Sequence, residues 1–136
     1  MKNKENEYMD VMTTIDNLKI APSWKEKFKA ISEAGPVGGG FGHEFENKAK
    51  YKALPFWTKF SGWGLLFGIF FYLFKGMWKK AISIMALMIV IEILIELFPK
   101  NDILVFASYI LPTIIVFAQA NIDYYRKMVL GENFWW

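Results

Sequence analysis

Two carboxylates, Glu92 and Glu96, stand one helical turn apart inside an otherwise apolar run at residues 81–98. An acid near the centre of a bilayer costs about 2.5–3.5 kcal/mol, and less towards the end of a span. Such residues face a partner, a cavity or another polar group. The pair has the spacing to bind a cation or relay a proton. The blander reading bonds Glu92 to Ser108 or Tyr109 on the next apolar segment. Gln119, near the end of that segment, can bond across helices. The remaining candidates are sparse. His43 has neither a second His nor a Cys to join it, which argues against a metal site and leaves it as an expected exposed loop residue. The run GPVGGGFG at 35–42 lacks the Gly-Lys-Ser/Thr ending and the preceding strand of a phosphate loop, so it reads as a linker. Ser, His and carboxylate are not grouped, and neither an enzyme nor a cofactor is expected.

The elements around these residues are dominated by apolar sequence. Hydrophobic residues make up 54% of the 136-residue chain and aromatics 18%, high for a soluble domain of this size. Most of them fall in the second half, at 60–74, 81–98 and 103–120. A net charge of +3, with no basic stripe interleaved with aromatics outside those segments, gives no reason to expect nucleic acid. There is no Cys, hence no disulfide framework. The opening MKNKENEYMD lacks the apolar core of a secretory signal, so insertion is expected to depend on the internal segments. The expected class is an all-α integral membrane protein with its bilayer in a bacterial inner membrane.

Two regions are expected, residues 1–52 and a membrane domain at 53–136. Residues 1–17 read as loosely ordered, with a transient helix around 8–15. At 24–34 a helix is expected, with Ser23 and Glu26 as a capping box and Gly35-Pro36 as the stop. Trp24, Phe28 and Ile31 form one apolar stripe at i, i+4 and i+7. So short a helix needs a surface: the bilayer, the membrane domain or a partner.

Length and charge together set the topology. At about 1.5 Å per residue, 60–74 reaches roughly 22 Å, short of a hydrocarbon core of about 30 Å. The other two segments reach roughly 27 Å each, adequate with modest thinning. Lys and Arg favour cytoplasmic loops. If 60–74 dips in and returns, or lies at the interface, every Lys and Arg except Lys100 falls on the inner side with both termini. That two-span arrangement is preferred to three full spans. Gly62, Gly64, Gly68 and Gly76 loosen the first segment, and Trp57, Trp63, Tyr72 and Trp78 favour the interface. Pro112 should kink the third segment, and 121–130 can continue it as a helix ending at Gly131. Phe134-Trp135-Trp136 is expected at the interface.

Three strings then point to a family. SWKEKF at 23–28, GIFFYLFKGMWKKA at 68–81 and ANIDYYRKMV at 120–129 together resemble the domain-of-unknown-function 2628 family of small bacterial inner-membrane proteins. Its closing motif, Ala-Asn-x-x-Tyr-Tyr-Arg, is matched by Ala120, Asn121, Tyr124, Tyr125 and Arg126. Ile69 departs from the family, which would have proline before the aromatic run. The resemblance implies a compartment and a helical fold and supplies no activity.

Three functions compete at this point. An accessory or interaction protein would use Trp24, Phe28, Ile31, Tyr124, Tyr125 and Arg126 as an exposed surface for a membrane-protein partner or a second copy. A small transporter or channel subunit would use Glu92. An immunity or exclusion protein would block a pore-forming agent.

Overall fold

A computed structural model describes residues 3–37 and 43–135. The fold is mostly helical, as the apolar periodicity implies, with one two-residue hairpin. Helix α1 spans Lys4–Asn17, α2 Pro22–Ala34, α3 Lys48–Ala53, α4 Phe56–Lys59, α5 Gly62–Phe67, α6 Ile69–Phe74, α7 Trp78–Leu97 and α8 Asp102–Val129. Strands β1 (Pro36–Val37) and β2 (Glu44–Phe45) pair antiparallel, Pro36 opposite Phe45. Residues 38–42 of the expected linker, and Trp136 of the expected aromatic end, lie outside the described residues.

The N-terminal region is more ordered than its polarity suggests. Helix α1 is longer than the transient helix expected, because Ile15 is fully buried beside α2. Helix α2 starts two residues earlier than expected and without the capping box. Its N-cap is Ala21, no side chain caps it, and Pro22 occupies the first turn, where a fixed φ and a missing N–H cost nothing. The stop is as read: Gly35 takes φ 62°, the left-handed conformation that glycine tolerates best. The apolar stripe is buried, with Phe28 and Ile31 at 0% exposure. Each such side chain contributes roughly 1.5–3 kcal/mol.

The segment at 60–74 is not one helix. It breaks into α5 and α6 at Gly68, which adopts φ 53° and ψ −130°, a conformation open essentially to glycine alone. The missing proline at Ile69 is therefore no obstacle to the bend. Both ends of this segment meet the C-terminal half of α8. At the start, Ser61 N donates to Phe117 O (2.8 Å); at the end, Lys127 Nζ donates to Lys75 O (3.0 Å) and Gly76 O (2.6 Å). At Gly64, α5 approaches α8 so closely that a Cβ would lie 3.0 Å from Val116 O. The small residue serves packing inside the chain.

Helices α7 and α8 form an antiparallel hairpin closed by the turn at residues 98–101. Helix α8 runs as one element through Pro112 and on to Val129, well past the expected apolar segment. Its buried residues all lie between Pro112 and Arg126. On α7, all but Ile91 lie at 80–84. The distal halves of the pair, by contrast, expose Ile89, Val90, Ile93, Ile103 and Phe106.

Candidate functional site

The polar centre of the molecule is built on the C-terminal half of α8, and Asp123 is its middle. Asp123 is fully buried. Its Oδ2 accepts a 2.5 Å hydrogen bond from Tyr72 Oη of α6 and lies 2.7 Å from Lys80 Nζ in the first turn of α7. Lys80 also donates to Gln119 Oε1 (2.8 Å), one turn before Asp123. On the other side, His43 Nε2 stands 3.1 Å from Asp123 Oδ1. Both ring nitrogens of His43 are buried.

Three sequence expectations are corrected here. His43 is not an exposed loop residue: its side chain is only 3% accessible. Tyr72 is buried rather than interfacial. Lys80, expected with Lys75 and Lys79 in the connection between the first two apolar segments, is instead buried inside the first turn of α7. Two lysines in that turn, Lys79 and Lys80, oppose the helix dipole, and the Asp123 carboxylate offsets one of them. The four groups come from residues 43, 72, 80 and 123, so the cluster ties the hairpin strand region, α6, α7 and α8 into one unit.

Two residues closer to the start of α8, Asn121 closes the break before α5. Its Nδ2 lies 3.0 Å from Trp57 O, 3.2 Å from Thr58 O and 3.0 Å from Phe60 O. These are carbonyls at the unwound end of α4, where no helical donor follows. One side chain thus satisfies backbone that leaves the helix beside an apolar segment.

The residues expected to form an exposed interaction surface meet one another instead. Trp24 packs edge-on against Tyr124 with centroids 4.9 Å apart, and Phe28 touches both Tyr124 (5.4 Å) and Tyr125 (5.6 Å). Ile31, Tyr124, Tyr125 and Arg126 are all buried, and Arg126 pairs with Glu132. The surface that α2 needs is this chain's own α8. Lys75 lies over the Tyr124 ring (4.6 Å) and the Trp24 ring (5.2 Å), and burial lowers its ammonium pKa from the ordinary value.

The candidates expected inside a bilayer are not brought together. Glu92 and Glu96 are exposed on α7, and neither bonds to α8. Ser108 Oγ turns back to Val105 O (2.7 Å), while Tyr109 is 77% exposed. Gln119 alone joins the buried cluster. Among the described residues no three His, Cys, Asp or Glu side chains are grouped to hold a metal ion. A surface hollow lined by Leu97, Phe98 and Ile103, and another by Glu26, Lys29, Glu33 and Lys50, contain no member of the Asp123 cluster. The cluster can hold charge and order.

A helical chain whose longest helix is apolar enough to cross a bilayer, and whose polar residues converge on that helix's far end, is the class defined by these features. By length and composition alone, this one helix associates the chain with a membrane only weakly. Residues 19–129 match the family described as Protein of unknown function (DUF2628), and the chain belongs to it. The match includes every member of the Asp123 cluster and the whole Asn121–Arg126 run. No curated protein and no solved structure matches the chain.

Proposed function

We propose that the chain is a non-enzymatic accessory protein of the bacterial inner membrane, which binds or regulates a membrane complex. Helices α7 and α8 span the bilayer as a hairpin, α5–α6 dips in from the cytoplasmic side and returns, and both termini are cytoplasmic. The observation that carries this reading is the exposed apolar surface of the hairpin's distal half. Ile89, Val90, Ile93, Ile103 and Phe106 are each more than half exposed, and a surface of that kind on a soluble monomer is a liability. Helix α7 is 20 residues long, but Lys79 and Lys80 at one end and Glu92 and Glu96 near the other limit its uncharged stretch. Snorkelling lysines make such a helix tolerable as a span. The attachment of both ends of α5–α6 to the same half of α8 supports the re-entrant arrangement, as does the placement of the basic residues, Lys100 excepted, towards that half. Glu92 on the outside of the hairpin favours the interaction role over an ion pathway inside a single chain.

The absence of native Cys makes the test direct. In intact spheroplasts, Lys100→Cys reacts with a membrane-impermeant maleimide, while Lys79→Cys and Glu132→Cys react only after lysis. Labelling of Lys79→Cys from outside would reject the re-entrant segment in favour of three spans. Protection of all three positions with the protein recovered in the soluble fraction would reject insertion.

A further inference from the structure

The two flanks of the α7–α8 hairpin differ in chemistry. Lys80 stands beside Gln119, and Leu97 is joined to Asp102 by a short turn, so Glu92 is level with residue 107. Tyr109 lies two residues further along, about 3 Å along the axis. Glu92 follows the buried Ile91 by one residue, and Tyr109 follows by one the half-buried Ser108, which stands one turn before the buried Pro112. Each step rotates about 100° in the right-handed sense. In antiparallel helices the same rotation leads to the same side of the pair. Glu92 and Tyr109 therefore share one flank, with Ile89 and Phe106 beside them, all exposed. The opposite flank, through Val90, Leu94, Leu104 and Leu111, is wholly apolar.

A carboxylate and a phenol side by side on an apolar surface at membrane depth call for a partner there, because polar groups facing lipid are costly. This chain has no cation at that depth: between Lys80 and Arg126 its one basic residue is Lys100, in the turn. A second copy would set Glu92 against another Glu92, and Glu96 and Asp102, exposed near the same end, would add like charge. We infer that the Glu92–Tyr109 flank docks a transmembrane helix of another protein that carries a Lys or Arg at the depth of Glu92. Glu92 meets the cation, Tyr109 hydrogen-bonds the same group or its backbone, and Ile89 and Phe106 close around them. This assigns a partner chemistry to the accessory role proposed above and rests on the hairpin being inserted. The labelling of Lys100→Cys tests that insertion separately.

The full chain, reconstituted in vesicles of three parts phosphatidylethanolamine to one part phosphatidylglycerol, is titrated with fluorescent 22-residue poly-Leu/Ala helices. One carries a single Lys six residues from its outer end, and a control carries Leu there. The Lys helix should associate about tenfold more tightly than the control. Glu92→Gln should erase that preference, Tyr109→Phe should reduce it, and Glu7→Gln, exposed on α1, should leave it intact. Equal association of Lys and Leu helices with correctly inserted protein overturns the proposal, as does a preference that survives Glu92→Gln. Energy transfer between two labelled copies that excludes the Lys helix assigns the flank to self-association and overturns it too.

Discussion

Asn121 Nδ2 donates across 3.0 Å to the Phe60 carbonyl, so a side chain of the longest helix holds the point where the preceding segment leaves helical geometry. Its reach to Trp57 O and Thr58 O makes it the main local donor for that break. The cost of an unsatisfied buried acceptor is about 1–3 kcal/mol. Asn121→Leu should lower the unfolding free energy by about that amount. It should also speed hydrogen exchange at the amides of 60–65 well before the rest of α8 responds. Unchanged exchange there would mean that the Ser61–Phe117 backbone bond suffices to hold the break.

The Asp123 cluster should behave as one unit. Asp123→Asn leaves a buried ammonium without its carboxylate, and breaking such a pair costs about 3–5 kcal/mol. The expected result is a large loss of thermal stability in detergent. Adding Lys80→Met to Asp123→Asn should recover a large part of it, since the buried charge is then gone. A double-mutant cycle checks this: additive losses from the two substitutions would show that Lys80 and Asp123 are not coupled.

Much of the frame was legible in the sequence. The stripe Trp24, Phe28 and Ile31 announced a helix seeking cover, and Gly35 announced where it stops. Three apolar segments gave α5–α6, α7 and α8, and the glycines between 62 and 68 gave the weakness of the first. Local pattern, however, carries no information on which distant residue supplies the cover. Tyr124 and Tyr125 bury the stripe from a position about 100 residues away, and both had looked like surface. The charged cluster was hidden for the same reason. His43 follows a Gly-rich run, Lys80 sits in basic punctuation, and Asp123 follows an apolar segment, so each has a local context that predicts exposure. Only the fold pairs them. The motif Ala120-Asn121-x-x-Tyr124-Tyr125-Arg126 was the one available signal, and its residues prove to join α8 to α2 through Tyr124 and Tyr125 and to α4 through Asn121.

The docking of α2 should be separable from the integrity of the α7–α8 hairpin. Phe28 has no exposed surface, and removing a buried aromatic ring costs about 3–5 kcal/mol. Phe28→Ala should release α1–α2 from Tyr124 and Tyr125, exposing 19–34 to limited proteolysis while the α7–α8 fragment persists. The Lys75 ammonium would then lose the Trp24 ring that now lies 5.2 Å away, and Trp24 fluorescence should shift to the red. Proteolysis that digests α7 and α8 at the same rate would show that the two parts unfold together.

Two glycines in the first apolar segment test two different physical causes. At Gly68 an added methyl would meet nothing within 4 Å, so any cost of Gly68→Ala arises from φ 53°, ψ −130° alone. Backbone held in such a region costs a residue with a Cβ about 1–3 kcal/mol. At Gly64 the backbone is helical, and the obstacle is steric: a Cβ would stand 3.0 Å from Val116 O and 3.1 Å from Val116 Cγ1. The carbonyl cannot move without disturbing α8, whereas the methyl can be removed. Val116→Ala should therefore rescue part of the loss in Gly64→Ala and none of it in Gly68→Ala. Thermal unfolding of the four variants decides this, and rescue at both positions would mean that the bend and the close contact are one strained unit rather than two.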